Sequence, residues 1–326
     1  MSEMKVILNN ETYELAFSPI MQLLGHDNHQ KRKIINCIAN FFSKSKECFE
    51  NSLSIAIDEE EVGCKYFKVI RISDLHDLDN AIALSKGSVL YDYVLSKLND
   101  FDFSEYHIAM EDLLSLVIDT FNKTSTESMG LELDLKDYPI SSLIKSHLVF
   151  SGDEMEIYKK YILLMNLLRE VNSMNPTKWL VIFDNIENYL SKKEYEIFID
   201  LATKHSNEFD IWFIFSLKNS DYTYLNESLM AGVSICNSEV VLLPPLHVLK
   251  QFIESNFPYK KEFESEELLK IIQPILGDIG KEMNLLTLDS QVTLKILNQH
   301  FGISSKPLET PNKLALEYMH MPAKMV

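Results

Sequence analysis

Two degraded nucleotide-site motifs, met in working order, constrain this chain more than any other feature. Gly25-His26-Asp27-Asn28-His29-Gln30-Lys31-Arg32 keeps the first glycine and the lysine of a phosphate-binding loop, G-x-x-x-x-G-K-[ST], at their proper spacing. Gln30 stands where the second glycine belongs, and its Cβ crowds the backbone approach to a phosphate. Arg32 stands where a Ser or Thr would hold Mg²⁺, and a guanidinium has no lone pair to offer a metal. The second motif, Trp179-Leu180-Val181-Ile182-Phe183-Asp184, is an apolar strand ending in an acid, the form of a Walker B segment. Asn185 replaces the glutamate that would take a proton from attacking water. Glu187-Asn188-Tyr189-Leu190 follows at the spacing of an ABC-type continuation. The degenerate nucleotide site is therefore Gly25, Lys31, Asp184 and Glu187. No residue is assigned a catalytic role, and ATP hydrolysis is not expected.

Hydropathy places these motifs on an α/β frame. Lys5–Phe17 reads as a hairpin across Asn9-Asn10, a pair that tolerates positive φ. Ile20–Leu24 is a buried strand ending at Gly25, and Gln30–Ser43 follows with helical spacing at Ile34, Ile35, Ile38, Phe41 and Phe42. Leu53–Ile57 and Tyr66–Ile72 are strands. A helical stretch comes next, with helices at Asp79–Leu84, Val89–Leu98, Ser104–Phe121, Ile140–His147 and Asp153–Met174. The last carries a stripe of Ile157, Tyr161, Leu164, Leu168 and Val171. Beyond Asn175-Pro176 the order is strand Trp179–Phe183, helix Lys192–His205, strand Ile211–Leu217 and strand Val240–Leu243. The expected parts are residues 1–75 and 175–245 as an α/β head, 76–174 as an inserted helical leg, and 246–326 as a helical C-terminal extension.

Charge is segregated along the chain. The net charge of −17 argues against a protein that binds nucleic acid over its whole surface. Yet Lys31, Arg32, Lys33, Lys44 and Lys46 fall in a stretch without an acid, while the segment from Asp100 to Asp137 is strongly acidic. Either stretch also reads simply as a solvated helix face. Asp112 and Asp119 lie seven apart on one helix face, and Glu132, Asp134 and Asp137 follow. Such hard oxygen donors suit Ca²⁺, although no EF-hand loop is present. The histidines show no zinc-like spacing, and the four cysteines (Cys37, Cys48, Cys64 and Cys236) read as reduced thiols of a cytoplasmic protein. No apolar run spans a bilayer, and Met-Ser-Glu-Met-Lys is not the start of a signal peptide.

The order and spacing of these pieces resemble the CRISPR-associated Csn-two family of type II-A systems. The resemblance is carried by the hairpin, Ile20–Leu24 and its degraded loop, by Leu131–Lys145, and by Trp179–Asp184 through Glu194. The helical segment after residue 245 makes the chain similar to the long subfamily. The resemblance implies a degenerate ABC/SMC-like P-loop NTPase head with a helical leg, a homotetrameric ring, and bound calcium. It also implies double-stranded DNA in the ring's basic opening, and a role in spacer acquisition beside integrase proteins and an RNA-guided nuclease. On that reading the DNA contacts are Lys31, Arg32, Lys33, Lys44 and Lys46, with Lys65, Lys68 and Arg71 as rivals. The calcium ligands are Asp112, Asp119, Glu132, Asp134 and Asp137. Two other readings stay open: an SMC/RecF-like ATPase with residual ATP binding, and a partner-assembly protein that does not touch DNA.

Overall fold

The structure is a computed structural model. It describes residues 2–9, 11–43, 53–99, 101–123, 134, 144, 148–149, 155–237, 239–281, 287–303 and 317. Its contacts divide the chain into two compact units: Met1–Asp74 with Thr177–Val326, and Leu75–Pro176. The C-terminal helices thus belong to the same unit as the two halves of the α/β head.

The first unit holds two sheets. Strands β1 (Glu3–Leu8) and β2 (Glu11–Ala16) form the expected hairpin, in antiparallel register from Glu3↔Ala16 to Leu8↔Glu11. Asn9 takes φ +49° at the turn. β4 (Ser54–Ile57) pairs with β1 and not with the parallel strands, and a short β5 (Glu60–Glu61) completes a sheet ordered β2-β1-β4-β5.

The second sheet runs β10-β9-β3-β8-β7-β6. Here β3 is Ile20–Leu24, β6 Lys68–Ile72, β7 Trp179–Asp184, β8 Ile211–Ser216, β9 Val233–Cys236 and β10 Val240–Leu242. All neighbours pair in parallel except β10, which is antiparallel to β9. Every residue of β3 and β7 is buried, as expected of continuous apolar strands covered on both faces. β8 separates the strand that carries the degraded loop from the strand that carries Asp184, so both motifs emerge at the carboxyl ends of the strands, where open α/β sheets bind ligands. The α/β NTPase-like head expected from the sequence is the fold present.

Helix α1 (Asn28–Phe42) lies between the sheets. Its Ile34, Ile35, Ile38 and Phe42 join Met4, Val6 and Ile55 of one sheet to Leu23, Ile182 and Ile214 of the other in one core cluster. The helix starts two residues before the expected Gln30, because the Asp27 side chain accepts from the Gln30 amide and caps it. Beyond Asp184, a 3₁₀ turn at Ile186–Asn188 precedes a long helix over Lys192–Glu208, opened by a Ser191/Glu194 capping box. After β10, helices Leu246–Asn256, Ser265–Ile275 and Leu288–His300 pack against one another.

The second unit is helical. It contains α2 (Leu75–Ala81), α3 (Val89–Leu98), α4 (Phe101–Phe121) and α5 (Ile157–Met174). α2 and α3 pack on α5, whose Tyr161, Leu164, Leu168 and Val171 are buried. Ile157, at the head of the expected stripe, is exposed. Ser88 caps α3 by accepting from the Tyr91 amide, and Lys160 pairs with Asp79 at 2.7 Å. α5 begins at Ile157, later than the expected Asp153, with Glu156 at φ −56° and ψ 144° before it; Ser151 and Asp153 lie outside the described residues. So does most of the expected helix 140–147, of which Ile144 is described and buried. No helix among the described residues is long and apolar enough to cross a membrane.

A candidate nucleotide cradle filled by the protein itself

At the end of β3 the chain turns through Gly25, with φ +108°. A side chain here would place its Cβ 2.0 Å from the Cys236 carbonyl oxygen on β9. Both the backbone conformation and the close approach demand glycine.

The backbone N–H groups that would cradle a phosphate in a working loop are used internally. The His26 amide donates to Asn237 Oδ1 at 2.8 Å, and the Asp27 amide to the Cys236 carbonyl at 3.3 Å. The Asn28 amide donates to the His26 carbonyl, the Gln30 amide to Asp27 Oδ1, and the Lys31 amide to the Asp27 carbonyl. The Asp27 carboxylate thus sits at the N-terminus of α1, where a helix dipole and free amides would otherwise attract an anionic ligand.

Lys31 points into the core. It is 2% exposed, and its ammonium donates to the Leu217 carbonyl at 2.6 Å. Burial pushes its pKa down, while Cys236, Glu187 and Asp184 oppose that shift. Lys31 and Glu187 bond to opposite ends of the Leu217–Lys218 peptide, and Asp184 stands in register with the neighbouring Ser216, so these three side chains lie at one end of the sheet.

The Walker B side is equally occupied. Asp184 takes an ion pair from Arg71 at 3.1 Å and a hydrogen bond from the Asn185 side chain at 3.0 Å, and Arg71 also donates to Asn36 Oδ1 at 2.7 Å. Asn185 adopts the left-handed conformation, which an asparagine tolerates better than a glutamate. Glu187 accepts from the Lys218 amide at 2.6 Å, while its second oxygen is buried without a hydrogen-bond partner.

The C-terminal segment closes over the loop. Asn237 donates its side-chain amide to the Ile279 carbonyl at 2.5 Å and to the Gly277 carbonyl at 3.4 Å. His26 lies 3.8 Å from Asp278, a carboxyl whose pKa burial raises, with His26 and Lys281 pulling the other way. These contacts with residues 277–279 have no counterpart in the sequence motifs, because they join positions 40 or more residues apart.

The structure corrects the expected DNA-contacting set at Lys31, and it gives Lys33 and the rival Arg71 ion-pair partners. Lys31 is buried and cannot face a duplex. Lys33 is bonded to Glu11 and stacked over Tyr13 at 5.5 Å, which raises its pKa, so its charge is already matched. Arg71, among the rivals, is committed to Asp184. Arg32 is exposed, as are Lys65 and Lys68. Lys44 and Lys46 lie outside the described residues.

Of the expected calcium ligands, Asp112 and Asp119 are exposed on α4 and Asp134 is exposed, while Glu132 and Asp137 lie outside the described residues. Among the described residues no group of three His, Cys, Asp or Glu side chains gathers into a metal-sized cluster. The described carboxylates therefore do not by themselves complete a calcium site.

No protein-family model matches the chain, and no curated protein matches it. Among solved structures, Stu0660 of Streptococcus thermophilus superposes with a TM-score of 0.84 at 20% identity, over 96% of this chain and 99% of that one. This shows a shared fold that includes the C-terminal helices. The Smc head domain with an extended coiled coil, bound to the C-terminal domain of ScpA, from Pyrococcus furiosus is also similar. It has a TM-score of 0.40 at 11% identity, over 78% of this chain and 99% of that one.

Proposed function

We propose that this chain is a long-form member of the CRISPR-associated Csn-two family. On this reading it is a non-enzymatic protein that holds double-stranded DNA, at its ends, in a homotetrameric ring during spacer acquisition. The observation that carries the reading is the self-filled cradle on an NTPase-like fold: the amides of His26, Asp27, Asn28, Gln30 and Lys31, the Lys31 ammonium and Asp184 all have partners within the chain. A head that keeps the frame and loses the nucleotide chemistry is suited to binding, with no reaction to drive. The order and spacing of the sequence motifs supply the family and its DNA partner; integrase proteins and an RNA-guided nuclease enter as partners on the same basis. Calcium as an organiser of the assembly is proposed from the family resemblance, and the acidic segment between Asp100 and Asp137 offers it oxygen donors.

A second reading, residual ATP binding in an SMC/RecF-like ATPase, would require the loop, Asn237 and the 277–279 segment to rearrange together. The reading of a partner-assembly protein that does not touch DNA draws on the exposed apolar side of α4, which fits the ring equally well.

The test is equilibrium binding of fluorescent linear duplexes of unrelated sequence, read by anisotropy across a salt series. The proposal expects similar affinities for all sequences and a steep linear fall of log K with log salt, with a slope of about −0.9 for each phosphate neutralised. Absence of duplex binding at low salt would overturn it.

A further inference from the structure

The contacts that close the degraded loop come from one short piece of chain, residues 273–279, where the helix Ser265–Ile275 runs into a 3₁₀ turn, Leu276–Asp278. This strap meets the loops that follow three neighbouring strands, β9, β3 and β8. Gln273 Nε2 donates to the Asp221 carbonyl at 3.3 Å, and Ser220 Oγ donates to the Pro274 carbonyl at 3.5 Å; both partners lie in the turn after β8. Asn237, after β9, accepts from the His26 amide and donates to the carbonyls of Gly277 and Ile279. One buried side chain thus ties the loop to the strap. Lifting residues 277–279 would take away both acceptors of the Asn237 amide, so strap and loop cannot move independently.

Closure is favoured by some of these residues and opposed by one. Leu276 and Ile279 are buried, which stabilises the closed strap. Asp278 is also buried, at 8% exposed, and its ion-pair partner is His26 Nε2 at 3.8 Å, beyond hydrogen-bond length. Among the described residues no donor reaches its carboxylate at hydrogen-bond distance. A buried carboxylate held this loosely costs free energy in the closed form. Burial raises the Asp278 pKa although His26 and Lys281 act to lower it, so the loss of water outweighs both cations. Pro274 and Gly280, the latter with φ +84°, bracket the strap, and the Gly280 amide is pinned to Asn298 Oδ1 at 2.9 Å.

We propose that residues 273–279 form a two-position strap that gates the degraded loop, with the buried Asp278 carboxylate working against the closed position. In the open position Asp278 regains water, Asn237 releases the His26 amide, and the carboxyl ends of β9, β3 and β8 are uncovered. The charge at position 278 therefore sets how often the head opens. The gate does not depend on the duplex reading, because it is measured without DNA.

The experiment follows hydrogen exchange of the full-length protein by mass spectrometry at pH 7, for wild type, Asp278→Asn and Asn237→Ala, with circular dichroism to establish folding. Asp278→Asn keeps the shape and removes the charge, whereas Asn237→Ala removes the tie. Asp278→Asn is expected to slow exchange about threefold or more both in the strap, residues 276–281, and in the loop, residues 24–31. Asn237→Ala is expected to speed exchange about threefold or more in both, with β7 and β8 unchanged in either variant. A His26–Asp278 pair that simply stabilised the strap would give the opposite sign, because removing it would speed exchange. Faster or unchanged exchange of the strap in Asp278→Asn, a change in the strap without one in the loop, or unchanged exchange in folded Asn237→Ala would overturn the proposal. If Asn237→Ala does not fold, Asp278→Asn decides alone.

Discussion

Gly25 has a structural role that needs no nucleotide. Its left-handed backbone and the 2.0 Å approach of a Cβ to the Cys236 carbonyl make any side chain there expensive. Gly25→Ala is expected to cost about 2 kcal/mol or more of stability and to lower Tm by several degrees; a wild-type melting curve would refute this packing role. Lys31 and Lys295 are buried cations of the same unit. Burial alone pushes Lys295 down to about 8 from an ordinary 10.5, and it is 6% exposed. Below pH 8 both the folded and the unfolded chain carry this proton, so the burial cost is felt in full. Between pH 8 and 10.5 the unfolded chain binds more protons, and stability contributed at this position rises with pH. Lys295→Met should therefore be more stable than wild type at pH 7, by on the order of 2 kcal/mol, and this advantage should vanish by about pH 10.5. Urea unfolding of both proteins across pH checks it; a pH-independent difference would contradict the assignment.

At the scale of elements, helix α4 carries an unusual face. Tyr106, Met110, Leu113 and Val117 recur at four, three and four residues, and all are exposed, Leu113 at 62%. That spacing makes one apolar stripe of the kind that normally meets another helix. Leu113→Lys with Val117→Lys is expected to reduce the mass measured by light scattering while leaving the helical dichroism intact; an unchanged mass would remove α4 from the assembly surface. The elements around the cradle were largely legible in the sequence. Ile20–Leu24, α1 and Trp179–Asp184 follow from continuous apolar runs and helical periodicity. β9 was not legible, because Val233–Cys236 is short and sits between a 3₁₀ turn and a tight return to β10. The division into two sheets also escaped, since Ser54–Ile57 alternates like any half-buried strand and only its pairing with β1 assigns it. Within the site, the motif arithmetic located Gly25, Lys31, Asp184 and Glu187. It could not show that Lys31 turns inward to Leu217, or that Asn237 and Ile279 close the loop, because both depend on contacts distant in sequence.

For the whole molecule, the proposed DNA binding by a chain of net charge −17 requires a local basic surface. Lys31 is buried and Lys33 and Arg71 are ion-paired, whereas Arg32, Lys65 and Lys178 are exposed among the described residues. A ring would gather such surfaces around one opening and leave the acidic exterior to the solvent. Calcium, if it organises the ring, should raise the mass seen by light scattering relative to chelator, and the same mass in both conditions would separate the ion from assembly. Threading is the property that distinguishes a closed ring from an ordinary basic patch, because a ring reaches DNA only over an end. The most direct test is a gel shift with the purified protein on one duplex presented linear and as a covalently closed circle of the same sequence. The account predicts retention of the linear form and no shift of the circle. Equal shifts of both would contradict a ring that loads over ends.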